Sequence, residues 1–319
     1  MNNKKCSVLV QMDPLSKVNF FTDSTICIIK EGLLRGHEVF FCEQNDIVFY
    51  KQEKLVRCKK FELINNVKVG VSKKRFTLLY SEFHIFFLRK DPPFDIEYLT
   101  NLHMHIIQKD IRKKNKPVFV NCPSGILTFS EKLYALDFPS IVPETCVFNS
   151  FNDIVNFQTQ KKKIIVKPLY DKGGSGVFLI KDMNSKSLAV IKKLTSNFKK
   201  KIIVQEFLHK VSNGDKRILL IKGEPVGAVM RVPASNNFKA NLHLGAKAVK
   251  TKLTANDLKI CKLISPSLIK NGLFFVGIDV IDGKLTEINV TSPTGIIQIN
   301  SLNKMRVEKK LWEKIENEL

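Results

Sequence analysis

FFVGIDVIDGKLTEINVTSPTG, residues 274–295, sets two acids and an amide among valines and isoleucines. The alternation on both sides of Asp282-Gly283 is that of a β-hairpin. Its register decides where the acids fall, because side chains switch faces at every residue of a strand. A two-residue Asp282-Gly283 turn pairs 281 with 284 and 279 with 286, and puts Asp279 on the face opposite Glu287 and Asn289. A three-residue loop, Ile281-Asp282-Gly283 with the glycine left-handed, pairs 280 with 284 and 279 with 285. That register gathers Val276, Ile278, Val280, Thr286, Ile288 and Val290 on one face, and Gly277, Asp279, Leu285, Glu287 and Asn289 on the other. The three-residue loop is therefore expected. Two carboxylates and an amide on one face are hard oxygen donors suited to Mg²⁺. The same alternation also describes an ordinary solvent-facing strand, which the hairpin alone favours. A metal site needs a phosphate-binding partner elsewhere.

The candidate partner is IIVKPLYDKGGSGVF, residues 164–178. A strand delivers Lys167, a proline ends it, and Gly173, Gly174 and Gly176 let backbone N–H groups approach an anion before the next strand begins. The order G-x-x-x-x-G-K-[ST] is absent and a strand rather than a helix follows, which excludes a P-loop. Alone, the loop is weak, since many glycine-rich hairpins are only turns.

With 319 residues, 44% of them hydrophobic, the chain can hold two or three domains with buried cores. The first apolar stretch, CSVLVQM, is cut off by Gln11 and Asp13, and FHIFFL (83–88) is stopped by Arg89-Lys90-Asp91. Both are too short for a signal peptide or a membrane span, so a cytoplasmic protein with no membrane partner is expected. Seven cysteines without a C-x-x-C pair fit reduced thiols. His103 and His105 would point about 200° apart on a helix, which argues against a shared metal.

The net charge of +22 ordinarily suggests nucleic acid or an anionic membrane. Only eight of the 52 basic residues are arginine, and the lysines come in short runs at 59, 73, 161 and 199 rather than in one footprint. Solvated lysines from AT-rich codon bias are the favoured explanation, and no nucleic-acid partner is expected.

Strands alternating with amphipathic helices indicate an α/β protein. CSVLVQM, a helix capped among Asp23, Ser24 and Thr25 and closed by Gly36, and HEVFFC make a βαβ unit. A polar lysine-rich stretch, FHIFFL, the loop RKDPPFD, a helix to about 113 and PVFVN complete a first domain, 1–125. Residues 126–208 read as a small α+β unit: helices near 131–138, 151–160 and 185–198, and strands 163–168, 177–181 and 201–208. Residues 209–319 hold RILLIK and PVGAVMRV around a turn at Gly223-Glu224, a helix from 254 to 270, the hairpin, and a terminal helix from 303.

A strand lysine, a glycine loop between strands, the segment Gln205-Glu206-Phe207-Leu208, then a distant acid-acid-Asn hairpin is the order of parts in ATP-grasp carboxylate–amine ligases. Within them the chain resembles bacterial glutathione synthetases through MDP (12–14), LRKDPPFD (88–95), EKL (131–133), VKPL with its loop, GDKRILLIKGEPV (214–226), MRVP (230–233), FVGIDVI and LTEINVTSPT (285–294). The resemblance spans nearly the whole chain. It implies an ATP-grasp fold behind a Rossmann-like N-terminal domain. It also implies an enzyme that phosphorylates the carboxylate of γ-glutamylcysteine with ATP and joins the acylphosphate to glycine. By resemblance, Lys132 and Lys167 contact phosphates, as do the loop glycines Gly173 and Gly174; Gln205, Glu206, Phe207 and Leu208 meet the adenine; and Asp215 lies near the ribose. Asp279, Glu287 and Asn289 match ligands of Mg²⁺, for which Mn²⁺ can substitute. Arg217 and Arg231 match arginines that hold the acylphosphate, a task suited to a planar fork. Arg89 and Asp91, after a first-domain strand, and Ser292 and Thr294, after the metal strand, are expected to hold substrate. Relatives are commonly tetramers, so a homo-oligomer is implied.

Two departures fall in candidate lids, which an acylphosphate needs to exclude water. Tyr170 and Asp171 stand where the family has Asp and Gly, and the segment 233–248 has lost glycines and carries Lys239 in place of an arginine. Two other readings stay open: a related ATP-grasp ligase with another acceptor, and a lysine-rich nucleic-acid-binding protein on a decayed enzyme scaffold.

Overall fold

The computed structural model describes residues 5–107, 117–170, 176–234 and 237–319. Three β-sheets carry the chain. The first is a seven-stranded sheet over β1 (Ser7–Met12), β2 (Glu38–Cys42), β3 (Ile47–Tyr50), β4 (Glu53–Ile64), β5 (Lys68–Leu79), β6 (Ile85–Arg89) and β7 (Val118–Val120). Its parallel half runs β2-β1-β6-β7, with α1 (Ser24–Leu34) and α2 (Ile96–Ile106) as crossovers. Asp23 caps α1 by accepting from the amides of Thr25 and Ile26, and Gly36 leaves the helix at φ +85°.

The lysine-rich stretch read only as polar is in fact β3, β4 and β5, an antiparallel extension joined to β2 through β4. Its inward positions, Val56, Cys58 and Phe61, alternate with exposed Glu53, Arg57 and Glu62, but Lys54 is buried among the inward residues and a bulge after Lys59 breaks the period, which masks the pattern. The second-helix expectation to about 113 is also shortened: Ile107 is extended and ends α2, and 108–116 lie outside the described residues.

After α3 (Pro123–Thr128), a four-stranded antiparallel sheet orders β10 (Phe178–Ile180), β9 (Ile164–Pro168), β11 (Ile202–Glu206) and β8 (Thr145–Phe148). Helices α4 (Phe151–Lys161) and α5 (Ser185–Leu194) cover one face, over Ile164, Val166, Ile202 and Val204. Alternation turns Lys167 and Gln205 to the other face.

The third sheet, also antiparallel, orders β14 (Lys247–Lys250), β13 (Glu224–Val232), β12 (Asp215–Ile221), β15 (Phe275–Ile281) and β16 (Lys284–Asn289). The β12–β13 turn is Lys222-Gly223, both left-handed, one residue earlier than expected. Helix α6 (Ala255–Lys270), opened by a Thr254–Asp257 capping box, buries Ile218, Leu220, Ile278 and Leu285 beneath it. On the opposite face Leu219 and Ile221 join the N-terminal core, together with α7 (Ile296–Asn303), unforeseen, and α8 (Val307–Glu316). Trp312 is fully buried there and donates to Ile28 O at 2.8 Å, fastening the C-terminal helix to α1. Among the described residues no helix is long and apolar enough to cross a membrane.

Candidate active site

The hairpin register differs from expectation in an instructive way. Asp282 (φ +50°) and Gly283 (φ +72°) form a two-residue turn that pairs Ile281 with Lys284 and Val280 with Leu285. Both left-handed positions suit Asp-Gly, whose twist matches the strands. The register then slips: Asp279 pairs with Glu287, leaving Thr286 as the extra residue of a β-bulge, its Oγ1 donating to Asp279 O at 3.1 Å. One added residue reverses the parity of β16. Asp279, Glu287 and Asn289 therefore share a face, while Leu285 rather than Thr286 joins the core.

Cross-strand pairing lines up the charged side chains. Arg217 stands opposite Asp279, which stands opposite Glu287; Asp215 stands opposite Arg231; and Gly277 stands opposite Asn289. The Arg217 fork donates from Nε and Nη2 to the two Asp279 oxygens at 2.5 and 2.9 Å, and from Nη1 to Thr294 O at 3.3 Å. Arg231 Nη2 lies 2.5 Å from Asp215 Oδ2 and 2.9 Å from Asp279 Oδ1. Burial opposes ionisation of Asp279, yet the two arginines overcome it and hold its carboxyl well below the usual range. Asp215 moves the other way: burial outweighs Arg231, Asp279 adds repulsion, and its carboxyl is pushed up. Among the described residues, Asp215 Oδ1 and Arg231 Nε are buried without a hydrogen-bond partner, so this network holds unsaturated polar capacity. Gly277 is part of the construction, since a Cβ there would meet Arg217 Cδ at 3.2 Å and Pro293 Cβ at 3.0 Å.

Across the cleft, Lys167 Nζ lies 3.8 Å from Glu287 Oε1. Lys132 is buried and donates to Pro168 O at 2.8 Å. The segment before it is stapled to β16 by Ile288 N donating to Glu131 O at 3.0 Å. Glu131 Oε1 accepts from Thr291 Oγ1 at 2.7 Å and Thr291 N at 3.2 Å. Nothing local in the sequence singles out Glu131 for this contact.

The remaining candidates divide. Gln205 is buried with its amide donating to Thr145 Oγ1 at 2.7 Å, and Glu206 Oε1 accepts from Glu144 N at 3.0 Å, so both side chains are engaged within the sheet. Phe207 packs edge-on against Phe238 from the second lid segment, whose Lys239 sits 5.4 Å over the Phe178 ring. Leu208 is half-buried. Arg89, at the end of β6, is buried and donates to Thr25 Oγ1 at 3.1 Å and Pro293 O at 2.9 Å, with no partner for Nη1 among the described residues. It thereby ties the first sheet to the 291–295 loop. Asp91 donates its amide to Asp13 Oδ2 at 2.9 Å, Ser292 is half-buried, and Thr294 is exposed. Gly173 and Gly174 lie outside the described residues.

The donor set fits a hard divalent cation. Asp279, Glu287 and Asn289 offer oxygen alone, and among the described residues no group of three or more His, Cys, Asp or Glu side chains competes as a metal site. Asp279 Oδ1 faces both Arg217 Nε and Arg231 Nη2, while Oδ2 accepts from Arg217 Nη2 and, at 3.4 Å, from Asn289 Nδ2, so a cation would take the Oδ2 site that the Asn289 amide fills.

A clamp of two antiparallel sheets, with an oxygen-donor hairpin facing a strand lysine across the cleft, defines an ATP-grasp ligase. The solved ATP-grasp ligase PsnB complexed with minimal precursor shares the fold, with a TM-score of 0.63, 15% identity and coverage of 99% of this chain and 100% of that one. Within that class the chain belongs to the prokaryotic glutathione synthetase family: the N-terminal domain model of that family matches residues 6–126 and its ATP-grasp domain model residues 131–304. It is 36% identical over 318 residues to the glutathione synthetase of Bradyrhizobium diazoefficiens, covering 98% of each chain. The Brucella melitensis glutathione synthetase is 36% identical over 314 residues, covering 97% of this chain and 98% of that one.

Proposed function

We propose that this protein joins γ-glutamylcysteine to glycine, consuming ATP and releasing ADP and phosphate through an acylphosphate. The observation that carries the reading is the row Arg217–Asp279–Glu287, with Arg231 beside it and Lys167 facing it across the cleft. Lys167 from β9 and Lys132 from the turn at 131–133 would neutralise the ATP phosphates, and the segment 205–208 would border the adenine, with Asp215 toward the ribose. Asp279, Glu287 and Asn289 would hold Mg²⁺ or Mn²⁺, which supplies charge neutralisation at the transferring phosphoryl oxygens. Arg217 and Arg231 are aimed where charge develops, and their ion pairs fix them in place before substrate arrives. Arg89, Asp91, Ser292 and Thr294 would border the peptide; the contacts of Arg89 suit it to placing the 291–295 loop. The division into 1–125, 126–208 and 209–319, a cytoplasmic location and a tetrameric assembly belong to the same reading.

The test is phosphate release by purified protein with Mg-ATP. Release only when both γ-glutamylcysteine and glycine are present, and its loss in Glu287→Ala, is expected. Absence of glycine-dependent release would overturn the reading, and sedimentation equilibrium tests the assembly.

A further inference from the structure

We propose that the cleft between Phe94, Tyr170 and Glu131 seats the acceptor amino acid, with Glu131 holding its ammonium and the Phe94–Tyr170 pair limiting what its α-carbon can carry. The inference rests on the ligase reading and deepens it.

The cleft is bordered by the Pro-Pro loop of the first sheet, segment 129–132, Tyr170 and Thr291. Glu131 is the carboxylate that lines it. Thr291 occupies Oε1 twice, whereas Oε2 has no hydrogen-bond partner among the described residues. Burial pushes this carboxyl up, and the charge of Glu287 adds to the push while Arg217 opposes it. A carboxylate partly removed from water with an unmet oxygen gains from a charged N–H donor. An amino acid brings one as its ammonium.

Both substrates carry an ammonium, but position separates them. Glu131 is the chain neighbour of Lys132 and is bonded through its backbone to Ile288, between Glu287 and Asn289. An ammonium held there is at the phosphate end of the cleft, where the attacking nitrogen must be. The γ-glutamyl ammonium lies at the far end of a dipeptide from its reacting carboxylate.

The opposite wall is aromatic. Phe94 and Tyr170 lie with ring centres 6.4 Å apart and planes 20° apart, and Phe94 N donates to Tyr170 O at 3.4 Å. Phe94 is backed by Tyr98 at 4.7 Å, while Tyr170 is 49% exposed. Phe94 is thus the fixed wall and Tyr170 the wall that a substitution can remove without disturbing a core. Phe129 closes the apolar side. Excluding one methyl group from such a space discriminates about 10- to 200-fold.

The experiment varies glycine and L-alanine as acceptors at saturating Mg-ATP and γ-glutamylcysteine, in wild type, Glu131→Gln and Tyr170→Ala, with KM for ATP and for the dipeptide measured alongside. Glu131→Gln keeps the acceptor for Thr291 and loses the charge, so the glycine KM should rise about tenfold while the other two KM values stay within about twofold. Tyr170→Ala should raise the alanine-to-glycine ratio of kcat/KM about tenfold. Unchanged glycine KM and unchanged ratio, with wild type active, would overturn this inference alone. A wild type inactive with glycine would overturn it together with the parent reading. Should Glu131→Gln fold poorly, the half-exposed Tyr170→Ala decides.

Discussion

Arg217 and Asp279 face each other across adjacent strands, and the guanidinium fork grips both carboxylate oxygens at 2.5 and 2.9 Å with both side chains nearly out of water. Removing one partner of such a pair leaves a buried charge, a change that ordinarily destabilises by about 3–5 kcal/mol. Arg231 still reaches Asp279 at 2.9 Å, so Arg217→Ala should fall near the low end, about 3 kcal/mol, in urea unfolding. Ligation should be lost with it. Arg217→Lys keeps the charge but not the fork, and should recover stability more fully than turnover.

Chelation separates the metal from the fold. Both Asp279 oxygens already accept from arginines, so the hairpin does not need a cation to settle its charge. EDTA should abolish phosphate release and leave the unfolding temperature unchanged. A large drop in Tm on chelation would show that the cation is structural.

Gly277 is a close-approach position. A Cβ there would come within 3.2 Å of Arg217 Cδ and 3.0 Å of Pro293 Cβ. Gly277→Ala should cost about 1–3 kcal/mol from overpacking and lower kcat, because the displaced groups are the fork and the 291–295 loop. Equal kcat in variant and wild type would contradict this.

The two-residue turn can be tested at Gly283, whose φ of +72° lies in the left-handed region and whose Cβ would meet Asn256 Nδ2 at 2.8 Å. Gly283→Ala should destabilise by about 1–2 kcal/mol. Gly283→Asn, better tolerated in that region, should lose less.

His105 predicts an acid limb in stability. It is buried between Gln11 Oε1 at 3.1 Å and Tyr80 OH at 2.8 Å, and burial, then the Lys54 charge, push its imidazole down to about 3 from 6.5. Below pH 6.5 the unfolded chain takes up a proton that the folded chain refuses until about pH 3, so stability present above 6.5 is lost as pH falls through that window. Its share amounts to as much as ~1.4 kcal/mol per pH unit. His105→Gln should flatten the fall between pH 6.5 and 4 in unfolding experiments; an unaltered slope would refute it.

Much of this architecture was legible. The cap at Asp23, the helix from 254, the β9 and β11 strands and the order of lysine, glycine loop and hairpin follow from local spacing. The three strands β3 to β5 were not, because a buried lysine, Lys54, and a bulge after Lys59 interrupt an inward alternation that only the neighbouring sheet makes meaningful. Glu131 was quoted within a motif without a role, since its partner, Thr291, lies 160 residues away.

The hairpin shows where that boundary falls. The sequence by itself determined which oxygen donors the hairpin possesses and that Glu287 and Asn289 share a face, because strand alternation is a property of consecutive residues, whereas alternation from the observed turn alone would put Asp279 on the other face. Only the tertiary structure brought Asp279 to their face, through a tight Asp282-Gly283 turn and a bulge at Thr286 rather than a longer loop. It also decided that two arginines from other strands hold Asp279 and that, among the described residues, one Glu131 oxygen has no hydrogen-bond partner. A bulge is selected by packing Leu285 into the core and by hydrogen bonds between strands, and those energies exist only once distant segments have met.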